Sequence, residues 1–230
     1  MIKSFLNLLC ISTLVFSSEQ IVLVVSDDFN TSTAKLACYE NGKQVFQTIP
    51  VNLGKNGLGW GIGEVAFTHK KGEALKYEGD KKAPSGVFKL KSVFGYKKNL
   101  TLAMPYRVAT QNLICVDDSE SKEYNKIILA RGNEKSFEHM RRKDNLYKYG
   151  IVVAHNENAM KNRGSCIFMH IQRRKGIPTV GCTSMSESNL KKIIYWLDKD
   201  KNPILIQIPK SAAKEVKKQF PELKNSKLLL

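Results

Sequence analysis

One histidine and one cysteine in the C-terminal half of the chain have the residue types and spacing of a nucleophilic site. His170 ends an apolar run, and Cys182 follows a short basic loop, directly after Gly181. A thiol becomes an effective nucleophile when a base lies within hydrogen-bond reach of its sulfur. The pair therefore predicts thiol chemistry with Cys182 as nucleophile and His170 as base. The alternative is a satisfied core histidine and a cysteine that serves as a small buried hydrophobe.

The segment that would position this pair is a strand followed by a loop. Residues 166–171 are too few for a helix and too apolar for a loop, so they predict a buried strand with His170 near its end. The loop that follows is basic and contains Arg173. Gly181 would let a substrate backbone approach the sulfur, because glycine has no side chain. The backbone N–H of Cys182, together with that of a neighbour such as Gly181, is then a candidate donor to an oxyanion.

The rest of the chain predicts mostly strands joined by turns. Strands are expected at residues 21–25, 35–39, 43–49, 87–94, 151–154 and 204–208. Asn41-Gly42 is a strong hairpin signal. Ser186 can cap a helix whose apolar residues recur at helical spacing. A second helix, with a basic face, is expected within residues 137–149.

Further motifs accompany the His170–Cys182 segment in a fixed order along the chain. They are GKNGLGWG at 54–61, KYEGD at 76–80, PSGVF at 84–88, CVDD at 115–118, YGIVVAHN at 149–156, GSCIFMHI at 164–171 and PTVGCTSMS at 178–186. This set resembles the L,D-transpeptidase family, the cysteine enzymes that remodel bacterial peptidoglycan. The resemblance extends over about residues 50–208. Within the family, the chain resembles in particular the branch with a GSxIFxHIWR…PTxGCxxM pattern.

The resemblance implies a fold and a reaction. The fold is mainly β with a few helices, the β-sandwich-like L,D-transpeptidase catalytic fold. Cys182 would form an acyl-enzyme at the diamino acid carbonyl of a peptidoglycan stem peptide and pass it to an amine, without metal or other cofactor. An L,D-carboxypeptidase, or a hydrolase of wall–protein links, would use the same site. A non-catalytic wall-binding protein is the alternative of another class.

Two further residues are candidates for substrate binding. Many family members carry a second histidine just before the Gly-Cys pair and an arginine shortly after it, where this chain has Val180 and residues 183–185. Arg173 could supply the missing carboxylate contact, since a guanidinium binds a carboxylate through two hydrogen bonds; a solvated loop charge is the alternative. His155 belongs to the family-like Ala-His-Asn motif, and its role is either structural or on the substrate side.

Composition bears on location and partners. Residues 1–18 predict a secretory signal peptide, residues 19–209 a single catalytic domain, and residues 210–230 a basic tail that is either a helix or a frayed end. The protein is therefore expected in the periplasm or cell envelope, with a role in cell wall biogenesis and cell shape.

The net charge is +16, yet nucleic-acid motifs are not evident. An anionic wall or membrane surface suits such a charge; a solvated basic surface is the alternative, and the oligomeric state is left open.

The cysteines predict one disulfide. Export places the chain in an oxidising compartment, where Cys38, Cys115, Cys166 and Cys182 remain after removal of the signal peptide. A nucleophile must stay free. Cys115 and Cys166 both lie in family-like segments, so we predict that they pair and that Cys38 is a buried thiol. Cys166 and His170 are expected on the same face of one strand. Four reduced cysteines remain the alternative.

Overall fold

The computed structural model describes residues 18–230; the predicted signal peptide lies outside them except for its last residue. Within this part of the chain the strands are β1 (Gln20–Ser26), β2 (Thr33–Glu40), β3 (Lys43–Gln44), β4 (Ile49–Asn52), β5 (Leu58–Trp60), β6 (Ala83–Gly95), β7 (Tyr106–Val108), β8 (Leu113–Val116), β9 (Ile127–Leu129), β10 (Phe137–His139), β11 (Tyr149–Val153), β12 (Phe168–Ile171), β13 (Thr183–Met185) and β14 (Ile204–Pro209). The helices are α1 (Glu187–Trp196) and α2 (Ala213–Gln219). The prediction of a mainly β fold with a few helices is confirmed.

Eight of the described strands form a closed ring. Their order is β1-β14-β6-β11-β12-β13-β4-β2, and β1 also pairs with β2, which closes it. A separate small sheet has the order β10-β8-β9. Because successive side chains of a strand point to opposite faces, each strand of the ring can contribute to two different cores.

Three buried clusters use these faces. The first contains Val22, Val24, Ile151, Val153 and Met169, and α1 joins it through Leu190, Ile193 and Ile194, with Leu197 directly after the helix. The second takes the alternate residues of β1, such as Leu23, and is covered by α2. The third lies between the ring and the small sheet, and it contains Phe94, Cys115, Tyr147, Cys166, Phe168 and Cys182. The small sheet thus helps to enclose the face that carries Cys182.

Two local predictions are confirmed at turns and caps. Asn41 and Gly42 both have positive φ, 49° and 74°, and join β2 to β3; this conformation suits Asn-Gly in a tight hairpin. Ser186 caps α1, because its hydroxyl accepts a hydrogen bond from the Asn189 N–H at 3.3 Å. Both features depend on neighbouring residues in sequence.

The helix expected within residues 137–149 is absent, and this prediction is wrong. Phe137–His139 instead forms β10, which pairs with β8, and turns lead from there to β11. Pairing with a distant strand outweighs local preference here. Arg141 does not form a basic helical face either, since its guanidinium stacks on the Tyr96 ring at 4.6 Å.

The strand expected at residues 166–171 begins only at Phe168. Cys166 has a φ of 55°, outside the strand conformation, and its N–H donates to the Asn125 side chain at 2.9 Å. The expectation that Cys166 and His170 share one strand face is therefore wrong.

The C-terminal segment packs against the ring. Val216, Phe220 and Leu223 are buried in the second core, and the hydroxyls of Tyr39 and Ser226 are 2.7 Å apart. Of the two possibilities for residues 210–230, the helix forms over part of the segment, since α2 covers Ala213–Gln219 and short 3-10 turns follow it. Within residues 18–230, none of the helices combines the length and the apolar character needed to cross a membrane.

Candidate active site

Adjacent parallel strands bring His170 and Cys182 to one cavity. β12 pairs with β13 so that His170 lies opposite Ser184, and Cys182 directly precedes β13. Both side chains are buried, His170 with 6% and Cys182 with 5% of their surface exposed. A cavity of about 150 Å³ is lined by both. The strand-and-loop arrangement predicted for this pair is therefore present.

The Cys182 sulfur lies in a backbone cradle. It accepts a hydrogen bond from the Phe168 N–H at 3.3 Å, and its thiol faces the Cys166 carbonyl oxygen at 3.7 Å. Burial raises the pKa of Cys182 to about 12, and the Glu138 carboxylate adds to this shift, whereas the Phe168 N–H opposes it. Cys182 is therefore a neutral thiol in the resting protein.

One nitrogen of the His170 ring is engaged in a hydrogen bond with the backbone. Nδ1 lies 2.8 Å from the Ile171 carbonyl oxygen, and a carbonyl can only accept, so Nδ1 carries the proton and Nε2 has the lone pair. Burial lowers the pKa of His170 to about 4, partly opposed by that carbonyl. Within residues 18–230 the ring makes no hydrogen bond to the Cys182 sulfur. The resting pair is thus a neutral imidazole and a neutral thiol in one cavity.

The turn before the cysteine requires glycine. Gly181 has a φ of 149°, and a Cβ there would lie 3.2 Å from the Lys82 carbonyl oxygen. Its N–H donates to the Thr179 hydroxyl at 3.1 Å, and that hydroxyl donates to the Cys182 carbonyl at 2.6 Å. The Gly181 N–H is therefore occupied, which leaves the Cys182 N–H as the oxyanion candidate. Sequence reasoning missed Thr179, although a hydroxyl two residues before the glycine is a turn signal.

Arg173 lines the cavity mouth with 69% of its side chain exposed. Its guanidinium lies 3.7 Å from the Asp144 carboxylate, which is held by Arg142 through two hydrogen bonds of 2.9 and 2.6 Å. Two guanidinium groups and one carboxylate give this side of the cavity a net positive charge. Arg142 was missed because its segment was expected to be a helix.

A buried asparagine fixes the loop that carries Arg173. Asn52, at the end of β4, is 2% exposed. Its side-chain amide donates to the Arg174 carbonyl at 3.1 Å and accepts from the Gly176 N–H at 2.8 Å. Because Asn52 is distant in sequence, local patterns could not connect it with the loop.

His155 lies outside the residues that line the Cys182 cavity, and it is 1% exposed. Its Nε2 donates to the Arg163 carbonyl at 2.8 Å, and its Nδ1 accepts from the Ile62 N–H at 3.3 Å. Burial lowers its pKa to about 4. Because both ring nitrogens are bonded to backbone, the geometry favours the structural role for His155 over the substrate-side role.

These two histidines predict acid sensitivity. Burial lowers the pKa of each from 6.5 to about 4, so the unfolded chain binds more protons than the folded chain between these values. Stability should therefore fall as the pH drops from 6.5 to 4, by roughly 3 kcal/mol for each histidine. Urea unfolding at several pH values between 5 and 7 measures this slope. His155→Gln should flatten it; a wild-type stability that does not change over this window contradicts the prediction.

The predicted disulfide is confirmed. Cys115 and Cys166 are bonded, while Cys38 and Cys182 are free and buried. Cys115 lies in β8, so the bond ties the small sheet to the segment that enters β12. The carbonyl of Cys166 faces the Cys182 thiol, which makes this bond part of the wall around the sulfur.

Among residues 18–230, no group of three or more His, Cys, Asp or Glu side chains is arranged to hold a metal ion. In the Asp117-Asp118 pair, the Asp118 carboxylate accepts a hydrogen bond from the Glu120 N–H at 3.0 Å. This contact caps the local loop.

The structure thus combines a closed ring of strands with a cavity lined by a buried thiol and an imidazole. The sequence model of the YkuD family, the L,D-transpeptidase catalytic domain, matches residues 22–206 of the chain. The chain therefore belongs to this family. Membership confirms the family and the fold inferred from the motifs. It also gives L,D-transpeptidase-type catalysis and peptidoglycan stem peptides as the general activity and substrate class. Comparison with curated proteins found no match.

Proposed function

We propose that this protein is a peptidoglycan L,D-transpeptidase in which Cys182 is the nucleophile and His170 the base. The observation that supports this most is the cavity shared by these two side chains in a domain of this family. The reacting group is the diamino acid carbonyl of a stem peptide, from its L centre, and D-alanine is the leaving group.

Proton transfer accompanies the attack of the sulfur. Burial raises the pKa of Cys182 and lowers that of His170, so an ion pair does not form in advance. As the sulfur bonds to the carbonyl carbon, His170 Nε2 takes the thiol proton and then gives it to the departing amine. The Cys182 N–H stabilises the oxyanion, an interaction whose loss typically costs about 10²–10³ in rate.

The acyl-enzyme has two possible fates. Attack by an amine of a second stem peptide releases the thiol and forms a crosslink. Attack by water releases a trimmed stem, which is the L,D-carboxypeptidase reaction. Both use the same acyl-enzyme, and the bond broken in the second step is the thioester in either case.

Two measurements test this function. Mass spectrometry of the purified protein after treatment with a carbapenem should show a covalent adduct on Cys182; without one, the non-catalytic wall-binding role is favoured. Digestion of isolated wall with and without an added acceptor amine then separates transfer from hydrolysis. Crosslinked products that require the amine support the transpeptidase, and trimmed stems alone support the hydrolase.

We also propose that the protein is exported as a catalytic domain of residues 19–209, against which residues 210–230 pack. The peptidoglycan substrate class supports export, since that polymer lies outside the cytoplasm. The net charge of +16 suits an anionic wall or membrane surface, and export rather than charge makes the cell envelope the expected partner instead of nucleic acid.

Arg173→Ala should raise KM for stem peptides by about tenfold and change kcat little. A guanidinium at the cavity mouth binds a substrate carboxylate similarly in the ground state and the transition state, and its loss is a loss of uniform binding. Steady-state kinetics on a purified stem peptide measure this. Arg174→Ala is the matched control, because Arg174 does not line the cavity. Equal kinetics for both variants would assign Arg173 to a solvated loop.

A further inference from the structure

Tyr147 lies beside both His170 and Cys182. It is 4% exposed and lines the cavity that contains Cys182 and His170. Its ring packs edge-on against the His170 ring, with 5.2 Å between centroids, and against Phe168 at 5.6 Å. Phe168 provides the N–H that contacts the sulfur. Tyr147 therefore contacts the imidazole and the residue whose N–H donates to the sulfur.

A carboxylate from the small sheet holds the Tyr147 hydroxyl. The hydroxyl donates to Glu138 Oε2 at 2.7 Å. Glu138 lies in β10 and pairs with Cys115 of β8, so the sheet tied down by the disulfide delivers this carboxylate. The Arg142 guanidinium lies 5.1 Å from the centre of the Tyr147 ring and fixes its other side.

We propose that Tyr147 is a further catalytic residue, whose hydroxyl donates a hydrogen bond to the Cys182 sulfur as the thiol loses its proton. Glu138 is the positioning residue that holds this hydroxyl in the resting site. The inference rests on the proposed function, since it concerns the same sulfur and the same acyl transfer.

The step balances within the site. The S–H bond of Cys182 breaks, and its proton forms an N–H bond at His170 Nε2. The hydroxyl hydrogen of Tyr147 then turns from the Glu138 oxygen to the sulfur while remaining bonded to its own oxygen. The tyrosine is not deprotonated, and burial does raise its pKa well above the ordinary value. The thiolate, like the Glu138 carboxylate, is an ionised acceptor, and a hydrogen bond to an ionised partner is stronger than one between neutral groups.

Tyr147 and Glu138 act on the sulfur with opposite signs. Apart from the dominant effect of burial, Glu138 raises the pKa of Cys182, because two negative charges close together repel. The Phe168 N–H, the Lys76 ammonium and the Tyr147 hydroxyl lower it.

Glu138 is surrounded by further charged groups that act on its own carboxyl. Burial raises the pKa of its carboxyl, and the Asp117 and Glu78 carboxylates add to this, while Tyr147 and Arg142 oppose it. A variant at Glu138 therefore removes the main anion near the sulfur and leaves the cationic Arg142 in place.

The test compares Tyr147→Phe with Glu138→Gln, both in a Cys38→Ala background so that Cys182 is the free thiol followed. The pH dependence of alkylation by iodoacetamide, measured by mass spectrometry, gives the pKa of the thiol. Tyr147→Phe keeps the ring and should slow alkylation at a given pH by about tenfold. Glu138→Gln should accelerate it. Tyr149→Phe is the control, because Tyr149 packs in the first core rather than in the third, which contains Cys182. Its Cys182 thiol should be alkylated at the wild-type rate.

Turnover gives a second readout. Tyr147→Phe should lower kcat with little change in KM, since the proposed hydrogen bond forms only after the thiol ionises. Wild-type alkylation and kcat in Tyr147→Phe would overturn the inference. A shift in the same direction for both variants would also overturn it, because loss of packing would then explain both. If wild-type Cys182 forms no carbapenem adduct and Cys182→Ala keeps its turnover, the proposed function itself fails.

Discussion

Cys182→Ala is expected to abolish turnover of stem peptides, with a loss of at least about 10³-fold, while the fold is retained. Alanine has no nucleophile, so the acyl-enzyme cannot form. The sulfur makes only long contacts, to the Phe168 N–H at 3.3 Å and the Cys166 carbonyl at 3.7 Å, so its removal leaves a small cavity. Release of D-alanine from a purified stem peptide measures the loss, and circular dichroism verifies the fold.

Cys38→Ala is the matched control for this variant. Cys38 is also a free, buried thiol, but it lies in β2 and packs in the first core. Burial raises its pKa as well, so burial of a thiol does not by itself distinguish the two residues. Cys38→Ala should retain turnover. Activity at the wild-type level in Cys182→Ala would disprove the mechanism, and His170→Ala should lose turnover in the same way.

The two buried histidines differ in their ability to serve as the proposed base. Burial lowers the pKa of both to about 4, so neither is distinguished by its proton affinity. His155 has both ring nitrogens bonded to backbone groups, and it could accept a proton only by giving up the Ile62 N–H. His170 uses Nδ1 alone and keeps Nε2 available on the cavity side of the candidate pair.

Features governed by neighbouring residues were predictable from the sequence. The Asn41-Gly42 turn follows from the ease with which both residues adopt positive φ. The cap at Ser186 follows from a hydroxyl placed before an apolar helical repeat. The His170–Cys182 segment combines a short apolar run with a glycine-containing loop, and the pairing of β12 with β13 brings its two ends together.

The remaining parts of the site depend on contacts between distant segments. Glu138 reaches the Tyr147 hydroxyl from β10, which is held in place by its pairing with β8, and a short strand within a basic segment resembles a helix when read locally. Cys166 leaves the strand conformation because its N–H bonds to Asn125. Such contacts override local preference, and neither alternation nor helical spacing reports them.

Removal of the disulfide, by Cys115→Ala with Cys166→Ala, should lower the free energy of unfolding by about 4 kcal/mol. The bond joins residues separated by 51 positions, and closing a loop of that size restricts the unfolded chain strongly. Urea unfolding followed by tryptophan fluorescence measures the change. Acylation of Cys182 by a carbapenem should also slow, because the bond anchors the segment whose carbonyl faces the thiol.

The wild-type protein in a reducing buffer is the matched comparison for that double variant. Reduction should lower wild-type stability by a similar amount, whereas the variant should not respond, since Cys38 and Cys182 are already free. Equal stability of the variant and the oxidised wild type would show that the small sheet is held by packing alone. Even with equal stability, acylation of Cys182 should slow in the variant, because Cys115, Cys166 and Cys182 pack together in the third core.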